Sequence, residues 1–172
     1  SRPRFLKAEQ RVAENIYRIL NSEAYTVFEG ESLLIDEQEQ KVGLKLDPAQ
    51  REAVEAALQH KVLIITGGPG TGKTTIVRFM LGLMRPRIPS IGLAAPTGRA
   101  AKRITETTGS AASTIHRLLE ASNIGFQRDR ENPLAQELLI LDETSMIDTL
   151  LMDNFLEAVP SASRLILVGD VD

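Results

Sequence analysis

The sequence predicts an α/β fold: a mostly parallel sheet flanked by helices, preceded by a short, mainly helical N-terminal segment. Three observations carry that prediction. Apolar runs rich in Val, Ile and Leu recur at 62–66, 91–95, 138–141 and 165–168, as expected of strands buried on both faces. Helical patterns separate them around 73–84, 98–106, 113–121 and 147–158, the alternation that parallel connections require. Between the first strand and its helix lies GGPGTGKTT, whose glycines and proline suit neither element.

In chain order, FLKAEQRVAENIYRIL places Leu6, Val12, Ile16, Ile19 and Leu20 near one face of a helix that stops at Asn21-Ser22. Residues 23–45 mix strand-like and helix-like pieces. LDPAQREAVEAALQH then opens a helix with Asp47 at its N-cap and Pro48 at the first helical position. The expected division is an N-terminal helical or linker segment over 1–45, the tail of a preceding domain, followed by an α/β domain over 46–172. A chain of 172 residues, 42% hydrophobic and 25% charged, holds one domain, or one and a fragment. Its ends, SRPRF and LVGDVD, read as cut from something longer. No apolar run reaches the length of a membrane span and no signal-peptide pattern opens the chain, so no membrane partner is expected. With no cysteine there is no disulfide framework and no thiolate metal site, which fits a reducing, cytoplasmic compartment.

Net charge is −3, unevenly spread. Residues 85–130 carry eight basic and three acidic side chains; residues 131–172 carry one basic and nine acidic. A basic block inside an acidic chain suggests a local polyanion site, and a solvated basic face would read the same way. Aromatic residues make up 4% with no Trp, so platforms for stacking bases are scarce. Phe126, in NIGFQRDR, is the candidate, or else a core or hairpin phenylalanine.

Gly67-x-x-x-x-Gly72-Lys73-Thr74 matches the phosphate-loop pattern, with a strand before it and a helix after it. Glycines allow a tight turn that aims backbone N–H groups at an anion, and the helix adds its positive end. Gly67, Gly68, Pro69, Gly70, Thr71, Gly72, Lys73, Thr74 and Thr75 are the expected ATP-binding set. Lys73 would reach the β- and γ-phosphates, and the Thr74 hydroxyl would ligate Mg²⁺. A glycine-rich turn without a ligand explains the glycines but not the Lys-Thr pair.

A nucleoside triphosphatase also needs an acidic partner at a strand end. LLILDETSMID supplies Asp142, which would hold Mg²⁺, and Glu143, which would orient or deprotonate the attacking water. In open α/β sheets ligands gather at the carboxyl ends of strands, where both motifs fall. The competing reading makes Asp142 the cap of the next helix.

GGPGTGKTT, LAAPTGRAAKR, STIHRLL, LLILDETSMID and LILVGD together resemble motifs I, Ia, Ib, II and the start of III of the RecD-like superfamily 1 DNA helicases, the exodeoxyribonuclease V alpha subunit family. The likeness covers about residues 46–172. It implies the first, RecA-like motor domain of an ATP-driven enzyme that moves 5′ to 3′ on single-stranded DNA. Its cofactors would be ATP and Mg²⁺, with Lys73 and Glu143 catalytic. Family members work alone or within a nuclease–helicase complex.

The resemblance also implies residue roles. Gln50 matches the glutamine that reads adenine, although Asp47-x-x-Gln50 is equally a capping box. Pro96, Thr97, Gly98 and Arg99 match motif Ia, which touches DNA, with Lys102 beside them. Thr114 and His116 match motif Ib, and a histidine in that setting could instead be structural. The sequence ends one residue before the glutamine of motif III. Motifs IV to VI, and the second motor domain with its arginine fingers, lie outside it. Such a finger is worth about 10³–10⁵ in rate at related sites. This piece alone is therefore expected to bind Mg·ATP, and single-stranded DNA weakly, but not to unwind. The other readings are a nucleotide-dependent switch or clamp-loader-like ATPase, or a P-loop kinase.

Overall fold

The apolar runs at 91–95, 138–141 and 165–168 become the centre of a five-stranded parallel sheet because their residues meet a core on one face or the other. The computed structural model describes residues 2–67 and 72–169. Its helices are α1 (Arg2–Leu20), α2 (Glu31–Val42), α3 (Pro48–Gln59), α4 (Lys73–Met84), α5 (Gly98–Thr108), the single turn α6 (Ile115–Leu118) and α7 (Thr149–Ala158). The strands are β1 (Val62–Ile65), β2 (Ile91–Ala95), β3 (Ser113–Thr114), β4 (Ala121–Ser122), β5 (Gly125–Phe126), β6 (Leu138–Leu141) and β7 (Arg164–Val168). The main sheet runs β1-β7-β6-β2-β3, and β4-β5 is a separate hairpin. Gly68, Pro69, Gly70 and Thr71 of the phosphate loop, and Asp170–Asp172 at the start of the third motif, lie outside the described residues.

Strand alternation divides the core in two. Leu138, Ile140, Ile166 and Val168 point into a cluster with Val54, Leu58, Ile76, Phe79, Met80 and Leu83 from α3 and α4. Their neighbours Leu139, Leu141, Leu165 and Leu167 point the other way, onto Phe155 and Leu156 of α7, Ile115, and Ile19 of α1. A strand covered on both sides carries no polar face, which is why β6, and β7 after its first residue Arg164, read as unbroken apolar runs. Among the strands of the main sheet β1 lies at one edge, and its Ile64 is 64% exposed.

The N-terminal helix is fastened to α7. Arg11 Nε and Nη2 donate to the Asp153 carboxylate at 2.9 and 2.6 Å, and Asn15 Nδ2 donates to Glu157 Oε2 at 2.6 Å. Arg18 Nη2 donates to the carbonyl oxygens of Leu156 and Val159 at 3.1 and 2.8 Å at the end of α7, the first of which also accepts the Val159 N–H. The mixed region 23–45 resolves into irregular chain followed by α2, whose Ile35 is fully buried.

The helix expected over 113–121 is only the turn Ile115–Leu118. Ser113 and Thr114 are extended and pair in parallel with Ala94 and Ala95. The Thr114 hydroxyl then caps the turn by accepting the Arg117 N–H at 3.1 Å. Glu120, at φ +54°, leads into the hairpin that carries Phe126, as one of its two sequence readings held. Helix α7 starts two residues later than the pattern at 147–158, because Asp148 caps it by accepting the Leu151 N–H at 2.7 Å.

Candidate active site

The chemistry assembles at the carboxyl ends of β1, β2, β6 and β7. Asp142 follows β6 directly, and its N–H donates to the Ala94 carbonyl of β2 at 2.9 Å. Lys73 is the first residue of α4, half-buried, and its Nζ donates to the Gly169 carbonyl at 3.2 Å just beyond β7. The Gly169 N–H donates to the Ile65 carbonyl of β1 at 2.9 Å. Backbone bonds thus join the strand ends in pairs, β6 to β2 at Asp142 and β7 to β1 at Gly169, and Lys73 reaches the second pair from the start of α4.

Gly72 sits at the N-cap of α4 with φ +79° and, having no side chain, cannot itself cap the first N–H groups of that helix. Those donors and the helix dipole are the chemistry an anion requires. Thr74 is exposed on the same first turn, and Thr75 faces a groove shared with Gln38, Val42 and Leu44. Beside the turn an open cleft of about 590 Å³ is lined by Gln50, Ala53, Leu63, Thr66, Lys73 and Ile76, among others.

Gln50 does what the capping pattern asks. Its N–H donates to Asp47 Oδ1 at 2.7 Å, and its Oε1 accepts the Asp47 N–H at 3.0 Å. Its Nε2 is turned toward Gly72. The cap position of the next helical turn, Thr144–Met146, is held by Glu143 and that of α7 by Asp148, so Asp142 is at neither.

Thr97, Gly98, Arg99 and Lys102 are exposed at the start of α5, with Pro96 half-buried. The Thr97 hydroxyl caps that helix by accepting the Ala100 N–H at 3.2 Å. His116 is exposed, and its ring lies 5.6 Å from that of Phe126. The structure therefore gathers Gln50, Lys73, Thr74, Asp142 and Glu143 about one cleft and one strand-end layer. Arg99 and Lys102 lie on the adjoining helix.

Three further contacts stand outside the sequence reading. Thr144 Oγ1 donates to the Val168 carbonyl at 3.1 Å, and a β-carbon on Gly169 would come within 2.4 Å of that oxygen. Arg103 Nη1 donates to Glu143 Oε1 at 3.2 Å. The sequence signal for the first two was the DET and VGD context; for the third it was only membership of the basic block.

Among the described residues no three His, Asp or Glu side chains gather as a protein metal cluster. Mg²⁺ bound with nucleotide takes most of its ligands from phosphate and water, so one hydroxyl and one carboxylate, Thr74 and Asp142, fit that donor set. No helix among the described residues is long and apolar enough to cross a membrane.

A parallel sheet, a helix start with a glycine N-cap and Lys73 as its first residue, and an acidic strand end define a P-loop nucleotide-binding domain of RecA-like fold. The chain belongs to the AAA domain family, whose profile matches residues 50–172. It is 36% identical over 170 residues to the ATP-dependent RecD2 DNA helicase of Deinococcus radiodurans, covering 99% of this chain and 23% of that protein. It is 45% identical over 148 residues to the RecBCD enzyme subunit RecD of Mycobacterium tuberculosis, covering 72% and 26%. The chain thus spans about a quarter of the length of these relatives, and their names agree with the family that the motifs resemble. The solved structure of the UvsW helicase from bacteriophage T4 superposes with a TM-score of 0.63 at 10% identity, covering 86% of this chain and 61% of that one, a likeness of fold.

Proposed function

We propose that this chain is the ATP-binding part of the first motor domain of an ATP-dependent 5′-to-3′ DNA helicase of the RecD-like kind, acting in DNA repair and recombination in the cytoplasm. The observation that carries the reading is the convergence of Lys73, Asp142 and Glu143 at one layer of strand ends, with the basic start of α5 next to it. Residues 46–172 form the motor up to its third motif, and 1–45 form the segment that leads into it. Arg11, Asn15 and Arg18 support docking of that segment against α7.

Lys73 and the N–H groups at the start of α4 hold the β- and γ-phosphates, and Thr74 and Asp142 hold Mg²⁺. Bound there, the ion neutralises phosphate charge. Glu143 orients the attacking water. Exposed Thr97, Gly98, Arg99, Lys102 and His116, with Pro96 and Thr114, offer contacts to single-stranded DNA. The second motor domain and, in one setting, the subunits of a nuclease complex are the remaining partners. Relatives named as helicases favour this reading over a clamp-loader-like switch or a kinase.

Calorimetry with Mg·ATP tests it. Lys73→Ala abolishes most of the binding, while Glu143→Gln leaves binding nearly intact and stops hydrolysis in the whole protein. Equal affinity of Lys73→Ala and wild type overturns the reading. Phosphate transfer to a small acceptor without DNA stimulation supports the kinase instead.

A further inference from the structure

Glu143 is held from outside its own strand. The Arg103 side chain bonded to it is 61% exposed, against 23% for Glu143. The two residues belong to different parts of the proposed machine. Glu143 follows Asp142 at the end of β6, whereas Arg103 lies on α5, one turn beyond Arg99 and next to Lys102. Residues four apart share a helix face, so Arg103 stands beside Arg99. An ion pair this open to water is weakly held. A phosphodiester offers a guanidinium the same pair of oxygen acceptors that a carboxylate does, so the two can exchange on one arginine. Glu143 also has φ +55°, a conformation uncommon for a residue with a side chain and maintained by its surroundings.

We infer that Arg103 is a positioning residue that latches Glu143, and that a backbone phosphate of bound single-stranded DNA releases the carboxylate to the attacking water by competing for the guanidinium. While Arg103 donates to Oε1, that oxygen faces α5 and is engaged by the guanidinium. Once the arginine turns to a phosphate, both carboxylate oxygens are available. Occupancy of DNA on α5 is thereby transmitted to the hydrolytic site through a single side chain. The inference rests on the motor reading proposed above and adds to it how the two sites are coupled.

Steady-state ATP hydrolysis by the whole protein, with and without oligo(dT), tests the latch in Arg103→Ala and Arg103→Lys. Arg103→Ala raises kcat in the absence of DNA and leaves KM for ATP unchanged. Its ratio of stimulated to unstimulated rate falls about fivefold or more, the lower end of ordinary coupling between sites. Arg103→Lys keeps the charge and retains part of the stimulation. A wild-type ratio in Arg103→Ala overturns the latch, as does loss of hydrolysis with and without DNA, or wild-type turnover indifferent to DNA. Failure of the motor reading looks different: Lys73→Ala would bind Mg·ATP as well as wild type, or Glu143→Gln would turn over normally.

Discussion

A β-carbon on Gly72 would stand 2.5 Å from Nε2 of Gln50, so the carboxamide on the first turn of α3 lies where a side chain at the start of α4 would be and would have to swing away from one. The contact joins two motifs that are separate in sequence. It also sets the direction of the Gln50 carboxamide, whose Oε1 is already engaged by the Asp47 N–H.

Gly72→Ala displaces the end of the Gln50 side chain and must hold a φ of +79°, where a non-glycine residue costs about 1–3 kcal/mol. The expected outcome is a lower melting temperature and at least about a tenfold loss of Mg·ATP affinity, since tenfold is only 1.4 kcal/mol. Calorimetry and a thermal melt on the same variant check both. Wild-type affinity would mean that the start of α4 adapts freely.

Gln50→Glu separates the two roles of the glutamine. The carboxylate keeps an acceptor for the Asp47 N–H and removes the Nε2 donor that faces Gly72. Stability should stay within about 0.5 kcal/mol of wild type, as for a surface change that spares its cap. If the glutamine reads adenine, preference for ATP over GTP drops; competition binding with the two nucleotides measures it. A preference unchanged in Gln50→Glu confines Gln50 to capping.

Arg99→Ala and Lys102→Ala test the DNA face of α5. Each lost phosphate contact should flatten the log–log salt dependence of single-strand binding by about 0.7. The measurement is anisotropy titration of labelled oligo(dT) across a range of low salt, where screening leaves weak contacts visible. If affinity and slope are both unaltered, these side chains only solvate a helix face.

Sequence legibility followed locality. Lys73, Thr74, Asp142 and Glu143 were readable because strand, loop and helix start are adjacent in the chain, and Asp47 because its cap closes within three residues. The central strands were readable because burial on both faces leaves 138–141 and 165–168 apolar. The stretch 113–121 was misread as one helix because its first residues obey the neighbouring strand β2, a tertiary demand no local pattern records. The Arg103–Glu143 pair spans 40 positions, and the Thr144 bond to Val168 spans 24. Neither spacing has a period that a sequence could display.

Arg164 is a charge held in the core by backbone. It is 6% exposed, and its guanidinium donates to the carbonyls of His60 and Ala57 at 3.1 and 3.3 Å and of Thr26 at 2.9 Å, with Phe28 beneath it at 4.9 Å. Arg164→Met leaves those acceptors buried without donors, at an expected cost of about 2–3 kcal/mol. For a chain of this size the melting temperature should then fall by roughly 4–12 °C. Arg164→Lys rescues little, because one ammonium cannot span carbonyls from two segments. A urea midpoint unchanged in Arg164→Met would show that water replaces the lost donors.

Lys61 gives the fold a pH dependence of definite sign. Its Nζ donates to the Ser161 carbonyl beside Arg164 and Arg18. Burial, then the charges of those two arginines, push its pKa down from 10.5 to about 8. Between those values the unfolded chain keeps a proton that the folded chain has released, so stability rises with pH across the window. Below about 8 the folded protein bears the full cost of a half-buried cation, and above 10.5 both states are neutral and the cost is gone. Lys61→Met removes this dependence. The stability of wild type minus that of Lys61→Met, from urea unfolding at a series of pH values spanning the window, should therefore climb with pH. A flat difference would show that the amine titrates as it does in the unfolded chain.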